Sequence, residues 1–363
     1  MSEELNYANP SSAKATAGIE KVHELLAPLH PAQKAGVALV GLGTYSMEQL
    51  APALLETKFC RLAGLVTGSP SEIPEWKNKY AIADSNIYSY ENFDAIVENT
   101  DIDIVYITLP NALHAEYVIR AAAAGKHIIC EKPMALTVEE CDQMMAACKK
   151  AGKLLSIGYR LHFDPNHVEV IRIAKEKIFG ELNYLRAQHG SSHTKGWRLD
   201  KSLAGGGALM DLGVYCIQAA CYITGQEPIA VKVIESTFAH NDPNDIEEFL
   251  SWEMEFPGGL VTNNETSYIA DMDMLHAKAD HGWFELSPAF GYKGITGKTA
   301  TGFLNFLPVN QQALQMDDFA LSVLNHKPVK LPAEMGRRDV KIIQAIYESM
   351  RTGKRIAIGS DQN

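Results

Sequence analysis

From Gly36 onward, short apolar runs alternate with amphipathic ones. Residues 37–40, 62–67, 87–88, 103–109, 127–130 and 154–157 read as strands. Between them, residues 74–80, 91–99, 112–124 and 138–151 carry apolar side chains at helical spacing. Strands alternating with helices predict βαβ units and a parallel sheet. Pro52 falls inside the expected first helix and is expected to kink it. After Gly158 the alternation stops. A helix over 166–176 and a strand over 182–189 lead through a long loop to Gly205-Gly206-Gly207 and a helix over 208–224. Closely spaced strand-like runs follow at 229–236, 247–256, 260–267, 274–277 and 283–286, then helices over 311–324 and 337–351. Strands without intervening helices predict a mostly antiparallel sheet.

The pattern therefore divides the chain into an α/β unit over 34–158 and an α+β unit with an open, mostly antiparallel sheet over 159–357. Residues 1–33 are Ser-, Ala- and Pro-rich with one short helical pattern at 19–26, and read as an arm.

Composition narrows the function. The chain has 363 residues, long enough for two domains and a sizeable core. A net charge of −11 without a basic block argues against nucleic acid and anionic membrane as partners. No apolar run is expected to reach the roughly 20 residues that span a bilayer. The polar, acidic start Met1-Ser2-Glu3-Glu4 lacks secretory character, so a cytoplasmic protein is expected. The six cysteines contain no C-x-x-C pair and read as free thiols in a reducing compartment; no metal spacing is legible.

Gly41-Leu42-Gly43-Thr44-Tyr45-Ser46 follows the first strand and precedes a helix. This is where a dinucleotide fold places its phosphate turn, because small residues let backbone N–H groups approach a pyrophosphate. Ser46 stands where glycine or alanine is usual, so the fingerprint is incomplete. The second strand ends in Thr67-Gly68-Ser69, without the carboxylate that usually holds the ribose of NAD. Two hydroxyls and no acid favour NADP, with NAD possible; nearby Glu72 argues the other way.

Chemistry candidates collect at strand ends. Glu131-Lys132-Pro133 stops the fifth strand, and a lysine there is aimed at the crevice of an open parallel sheet. A surface lysine ending a strand is the plainer alternative. Asp211 and Tyr215, at i and i+4, share a helix face. A lysine beside a tyrosine lowers the phenol's pKa and makes it a usable base; simple packing of Tyr215 on the sheet is the alternative. His114, after Leu109-Pro110-Asn111, either touches the nicotinamide ribose or caps its helix. Tyr159 and Arg160 follow the last parallel strand at the domain junction, and Trp197-Arg198 offers a ring face and a polar edge suited to a sugar.

Taken together, Gly41-Leu42-Gly43, Pro110-Asn111 with His114, Glu131-Lys132-Pro133 and Asp211-x-Gly213-x-Tyr215 resemble the glucose–fructose oxidoreductase / inositol dehydrogenase / rhizopine catabolism (Gfo/Idh/MocA) family. The likeness runs from about Ala35 to Ile356 and is nearest to its glucose–fructose oxidoreductase branch, through Trp197-Arg198-Leu199, Ala204 to Gly207 and Gln344 to Tyr347. The resemblance implies a Rossmann domain followed by an α/β domain whose sheet supports a homodimer or homotetramer. It implies a sugar substrate and NAD or NADP. Lys132 would polarise the substrate hydroxyl, Tyr215 would exchange its proton, and Asp211 would orient the sugar beside Tyr159 and Arg160. Gly41, Gly43, Thr44, Tyr45, Thr67, Gly68, Ser69, Leu109, Pro110, Asn111, His114, Glu131, Lys132, Arg160, Trp197 and Arg198 would border the cofactor. Two departures stand out: the long export signal of that branch is absent, and Glu72 aligns where the branch places a lysine near the 2′-phosphate. A non-catalytic, dinucleotide-binding regulator of the same fold is the competing expectation.

Overall fold

The computed structural model describes His30, residues 33–242 and residues 245–359. The arm expected over 1–33, with its helical pattern at 19–26, lies almost entirely outside the described residues.

Six strands form the first sheet: β1 (Ala35–Val40), β2 (Cys60–Val66), β3 (Ile87–Tyr88), β4 (Ile104–Ile107), β5 (His127–Cys130) and β6 (Leu155–Ile157). Their order is β3-β2-β1-β4-β5-β6, parallel throughout. Every residue of β1 and β4 is buried, as expected for strands covered on both faces. The order reverses between β1 and β4, so a crevice opens beyond their carboxyl ends.

Helices α1 (Ala51–Glu56), α2 (Ile73–Tyr80), α3 (His114–Ala123) and α4 (Val138–Ala151) connect these strands. Helix α4 begins on a capping box, with the Glu140 N–H donating to Thr137 Oγ1 at 3.1 Å and the Thr137 N–H to Glu140 Oε2 at 3.2 Å. Residues 44–56 form one continuous helical run with Pro52 inside it, and the π-turn Ser46–Leu50 directly before is the local irregularity that accommodates the missing N–H. One local expectation needs correction. The helix expected over 91–99 is a 3₁₀ run, Phe93–Glu98, which buries Phe93 and Ile96, three residues apart.

The second sheet has nine strands: β7 (Leu182–Gly190), β8 (Ala230–Phe238), β9 (Glu247–Glu255), β10 (Val261–Ser267), β11 (Met272–Ala279), β12 (Gly282–Leu286), β13 (Gly297–Thr299), β14 (Gly302–Leu304) and β15 (Ile356–Ala357). All neighbours are antiparallel except β7 and β10. The last three strands have two or three residues each, too short to show a period. One face, carrying Leu185, Ala187, Leu275, Ala277, Phe284 and Leu286, is buried. The alternate positions, Tyr184, Arg186, His276, Trp283 and Glu285, stand on the opposite, partly exposed face.

Helices α5 (Pro165–Lys175), α6 (Lys201–Ala204) and α7 (Val214–Thr224) belong to this half. Within the 24-residue stretch Lys201–Thr224 an 18-residue window reaches a mean hydropathy of 1.2, longer and more apolar than the sequence reading allowed, and 78% of that window is buried inside the protein. Helix α8 (Gln311–Leu324) crosses back to the first sheet. Ala313, Met316, Phe319 and Ala320 share a core with Leu39, Ile104, Tyr106 and Ile129. The Asp317 carboxylate accepts the N–H groups of Lys58 and Phe59, both at 2.8 Å, tying α8 to the start of β2. Helix α9 (Ala333–Thr352) packs along β8 and α4.

Candidate active site

The loop after β1 opens on Gly41, whose φ of +91° favours glycine. A Cβ there would stand 3.0 Å from Leu109 Cδ2 and 3.2 Å from Thr108 O, so Leu109 acts as backing for the loop. Gly43 is exposed, and a Cβ there would meet nothing within 4 Å, leaving room over the backbone for a phosphate. Thr44 is exposed beside it. Ser46 explains the incomplete fingerprint. It is fully buried, its hydroxyl donates to Gly41 O at 2.6 Å, and it lies 2.9 Å from Thr108 Oγ1. The serine thus ties the loop to β4 instead of leaving a gap for close helix packing. An open glycine cradle between a strand end and a helical segment fits a dinucleotide.

At the end of β5, Lys132 faces the second domain. Its Nζ donates to the main-chain carbonyl of Asp211 at 2.7 Å and lies 3.4 Å from Asp211 Oδ1. It also stands 4.6 Å from the centroid of the Tyr215 ring. Arg198 Nε holds the other carboxylate oxygen of Asp211 at 3.0 Å and its guanidinium packs 4.7 Å over Trp197. Burial works against ionising Asp211, but Lys132 and Arg198 together outweigh it and hold the carboxyl below its usual range. Asp211 lies in a π-turn, Leu209–Gly213, and Tyr215 in the first turn of α7, so the widened turn still presents both to Lys132. Glu131 sits alongside, accepting the Tyr106 hydroxyl at 2.8 Å, its pKa raised by burial against the pull of Lys132.

Several expected site residues make contacts inside the protein. His114 is fully buried, with Nδ1 2.9 Å from Pro133 O and Nε2 2.9 Å from Leu109 O. It neither reaches the crevice nor offers a free nitrogen; it braces the two strand-end loops, and burial lowers its pKa. Asn111 is buried and donates to Ala204 O at 2.9 Å, joining Pro110 and its loop to the second domain. Tyr159 is buried and gives its hydroxyl to Asp339 Oδ2 at 2.6 Å. Arg160 is buried too. It donates to the carbonyls of Phe290 and Gly291 and to Gln311, while its guanidinium lies 5.5 Å from the Tyr215 ring and 4.4 Å from that of Tyr292. Its guanidinium thus supports the two tyrosine rings. Thr67 is buried, and its oxygen accepts the Ser69 N–H at 3.0 Å, so Ser69, exposed with Gly68, is the hydroxyl open to a 2′-phosphate.

Residues 35–159 match the oxidoreductase family with an NAD-binding Rossmann fold, GFO/IDH/MocA, and residues 167–285 match the C-terminal domain of that family. The chain belongs to the Gfo/Idh/MocA family. It is an NAD(P)-dependent oxidoreductase. A solved structure of aldose–aldose oxidoreductase from Caulobacter crescentus, complexed with glycerol, superposes with a TM-score of 0.86 at 38% identity, covering 89% of this chain and 99% of the other. D-xylose 1-dehydrogenase [NADP(+)] from Haloarcula marismortui is 27% identical over 334 residues, 87% of this chain and 91% of the relative. D-glucoside 3-dehydrogenase from Escherichia coli is 25% identical, covering 89% and 97%.

Around this Gfo/Idh/MocA centre stand side chains that motif reading missed. Tyr292, between β12 and β13, packs at a tilt against Tyr45 of the glycine loop, with centroids 5.8 Å apart and planes at 31°, an aromatic contact between the two domains. Burial raises its phenol pKa, and Tyr215 adds to the shift. His189, at the end of β7, sets its ring edge-on to Tyr215 at 5.1 Å. Burial, with Lys132 adding, pushes its imidazole down to about 3, so it is neutral. Neither residue lies in a motif, and only the alternation of β7 hinted that His189 stood near a sheet face.

Proposed function

We propose that the chain is an NADP-dependent sugar oxidoreductase that moves hydride between the nicotinamide and C1 of an aldose. The observation that carries this reading is the convergence of Lys132, Asp211 and Tyr215 beside the Gly41–Tyr45 loop. When bound, NADP supplies the hydride acceptor. Lys132, fixed by Asp211, presents its ammonium to the C1 hydroxyl and stabilises the negative charge that develops on that oxygen. Tyr215 takes the hydroxyl proton as C1 loses hydride, which leaves a lactone. The oxygen that accepts the proton carries negative charge before the transfer and ends as the neutral phenol, and two cations flank the ring, Lys132 at 4.6 Å and Arg160 at 5.5 Å from its centroid. Trp197 and Arg198 border the sugar side. Because Tyr215 can return the proton it took, the same residues serve reduction of a second sugar, as in glucose–fructose oxidoreductase.

The preference for NADP rests on the missing carboxylate at Thr67 to Ser69 and on the exposed Ser69 hydroxyl. The relative named D-xylose 1-dehydrogenase [NADP(+)] is consistent with it, and the one named aldose–aldose oxidoreductase is consistent with coupling two sugars. In this reading residues 34–158 hold the cofactor, and residues 159–357 hold the sugar and form a homodimer or homotetramer. Incubation with NADP and a panel of aldoses, followed by the absorbance of the reduced nicotinamide, tests the reaction. Absence of reduction with every aldose overturns it. Adding a ketose or a second aldose to the reduced, stoichiometric complex tests the coupled cycle, because only a coupled enzyme then loses the signal without free NADP.

A further inference from the structure

A buried carboxylate outside the motifs supports the helix that carries Asp211 and Tyr215. Glu247 opens β9 and is 2% exposed. Both its oxygens lie 3.0 Å from the Gly207 N–H, Oε1 accepts the Leu209 N–H at 2.9 Å, and the Tyr347 hydroxyl of α9 donates to Oε1 at 3.0 Å. Burial raises its pKa, and the Leu209 and Gly207 amides pull it back. The glycine run is pressed onto these partners. A Cβ on Gly206 would fall 1.9 Å from the Tyr347 hydroxyl, and one on Gly207 would fall 2.1 Å from Glu247 O. The first backbone N–H groups of a helix have no partner within it. Here the partner is a charged acceptor, the stronger kind of hydrogen bond. Four residues past Gly207 stands Asp211, whose carbonyl holds Lys132, and four further stands Tyr215.

We propose that Glu247 is a positioning residue for proton transfer: it fixes the turn Gly207–Leu209, and through it the placement of Asp211 and Tyr215 against Lys132. The inference rests on the reaction proposed above. Removing the charge keeps the shape but turns one acceptor into an NH₂ group that faces N–H donors.

The test uses the full-length protein with NADP bound. Glu247→Gln should lower kcat by roughly 10- to 100-fold, the scale of a small misplacement at a reacting centre. Its NADP affinity should be unchanged, and the isotope effect with a 1-deuterated aldose should rise. Amide hydrogen exchange across 205–215 should speed up while the rest of β9 stays as in wild type. Wild-type kcat in Glu247→Gln, or unchanged exchange at 205–215, overturns the proposal. If Glu247→Gln does not fold, Tyr347→Phe decides. It removes one donor to the same carboxylate, and a lower kcat with unchanged sugar KM supports the role, whereas wild-type kcat overturns it. A wild-type protein inactive on every aldose defeats the reaction instead, and the exchange measurement still judges the role of Glu247.

Discussion

Lys132 Nζ lies closer to the main-chain carbonyl of Asp211, 2.7 Å, than to that residue's carboxylate, 3.4 Å. A lysine from the first domain is thus located by the backbone of the second. The carboxylate supplies charge, which it shares with Arg198 at 3.0 Å.

The two contributions separate by mutation. Lys132→Ala and Tyr215→Phe should each lower turnover by roughly 10²- to 10⁴-fold, the usual scale for a positioned acid–base group, with NADP affinity little changed. Asp211→Asn keeps the carbonyl and should cost less than Lys132→Ala. Steady-state kinetics on the three variants checks the order. Asp211→Asn falling below Lys132→Ala would show that the carboxylate, not the carbonyl, does the locating.

Cofactor choice is expected to turn on Ser69 rather than Thr67. Wild type should bind NADP more tightly than NAD. Ser69→Asp places a carboxylate beside the 2′-phosphate and should weaken NADP by roughly tenfold or more while sparing NAD. Fluorescence titration with both nucleotides measures this, and equal or reversed affinities in wild type would defeat the assignment.

Three partly buried histidines predict acid sensitivity. Burial pushes His127 and His162 down to about 4 and His189 down to about 3. An unfolded histidine titrates near ~6.5, so between there and about 4 the unfolded chain binds more protons than the folded one. Their contribution to stability therefore falls as pH falls through that window. Glu131 and Glu247, whose pKa values burial raises, act in the opposite sense, so the readout is a difference. The drop in Tm from pH ~6.5 to ~4 should be smaller in His162→Gln than in wild type. Equal slopes would refute the role of His162.

Assembly is expected through the second sheet, whose outward face sets the Tyr184, His276 and Trp283 rings side by side, 6.2 Å and 6.0 Å apart. Light scattering at micromolar concentration should give a dimer or tetramer. Trp283→Glu should shift it towards monomer, and a monomeric wild type would rule the interface out.

Periodicity alone located many elements. The expected bounds of β5, α4 and α8 coincide with those observed, because a short continuous apolar run, or an apolar stripe repeating every 3.6 residues, is a local property of the chain. The motif residues Lys132 and Tyr215 were likewise legible, one at a strand end and one on a helix face. What lay beyond the sequence was which distant side chains meet. Lys132 and Asp211 are 79 positions apart, and Tyr159 and Asp339 are 180 apart. Helix α8 shows its apolar face in its own sequence, yet only the folded chain shows that this face covers β1 and β4 of the other domain. His114 read either as a ribose contact or as a helix cap, and only the folded chain shows Leu109 O and Pro133 O each 2.9 Å from its two nitrogens. Such pairings depend on how two sheets stack and where their loops cross. No spacing along the chain encodes that, because the partners are brought together only by burial of surfaces that each segment carries separately.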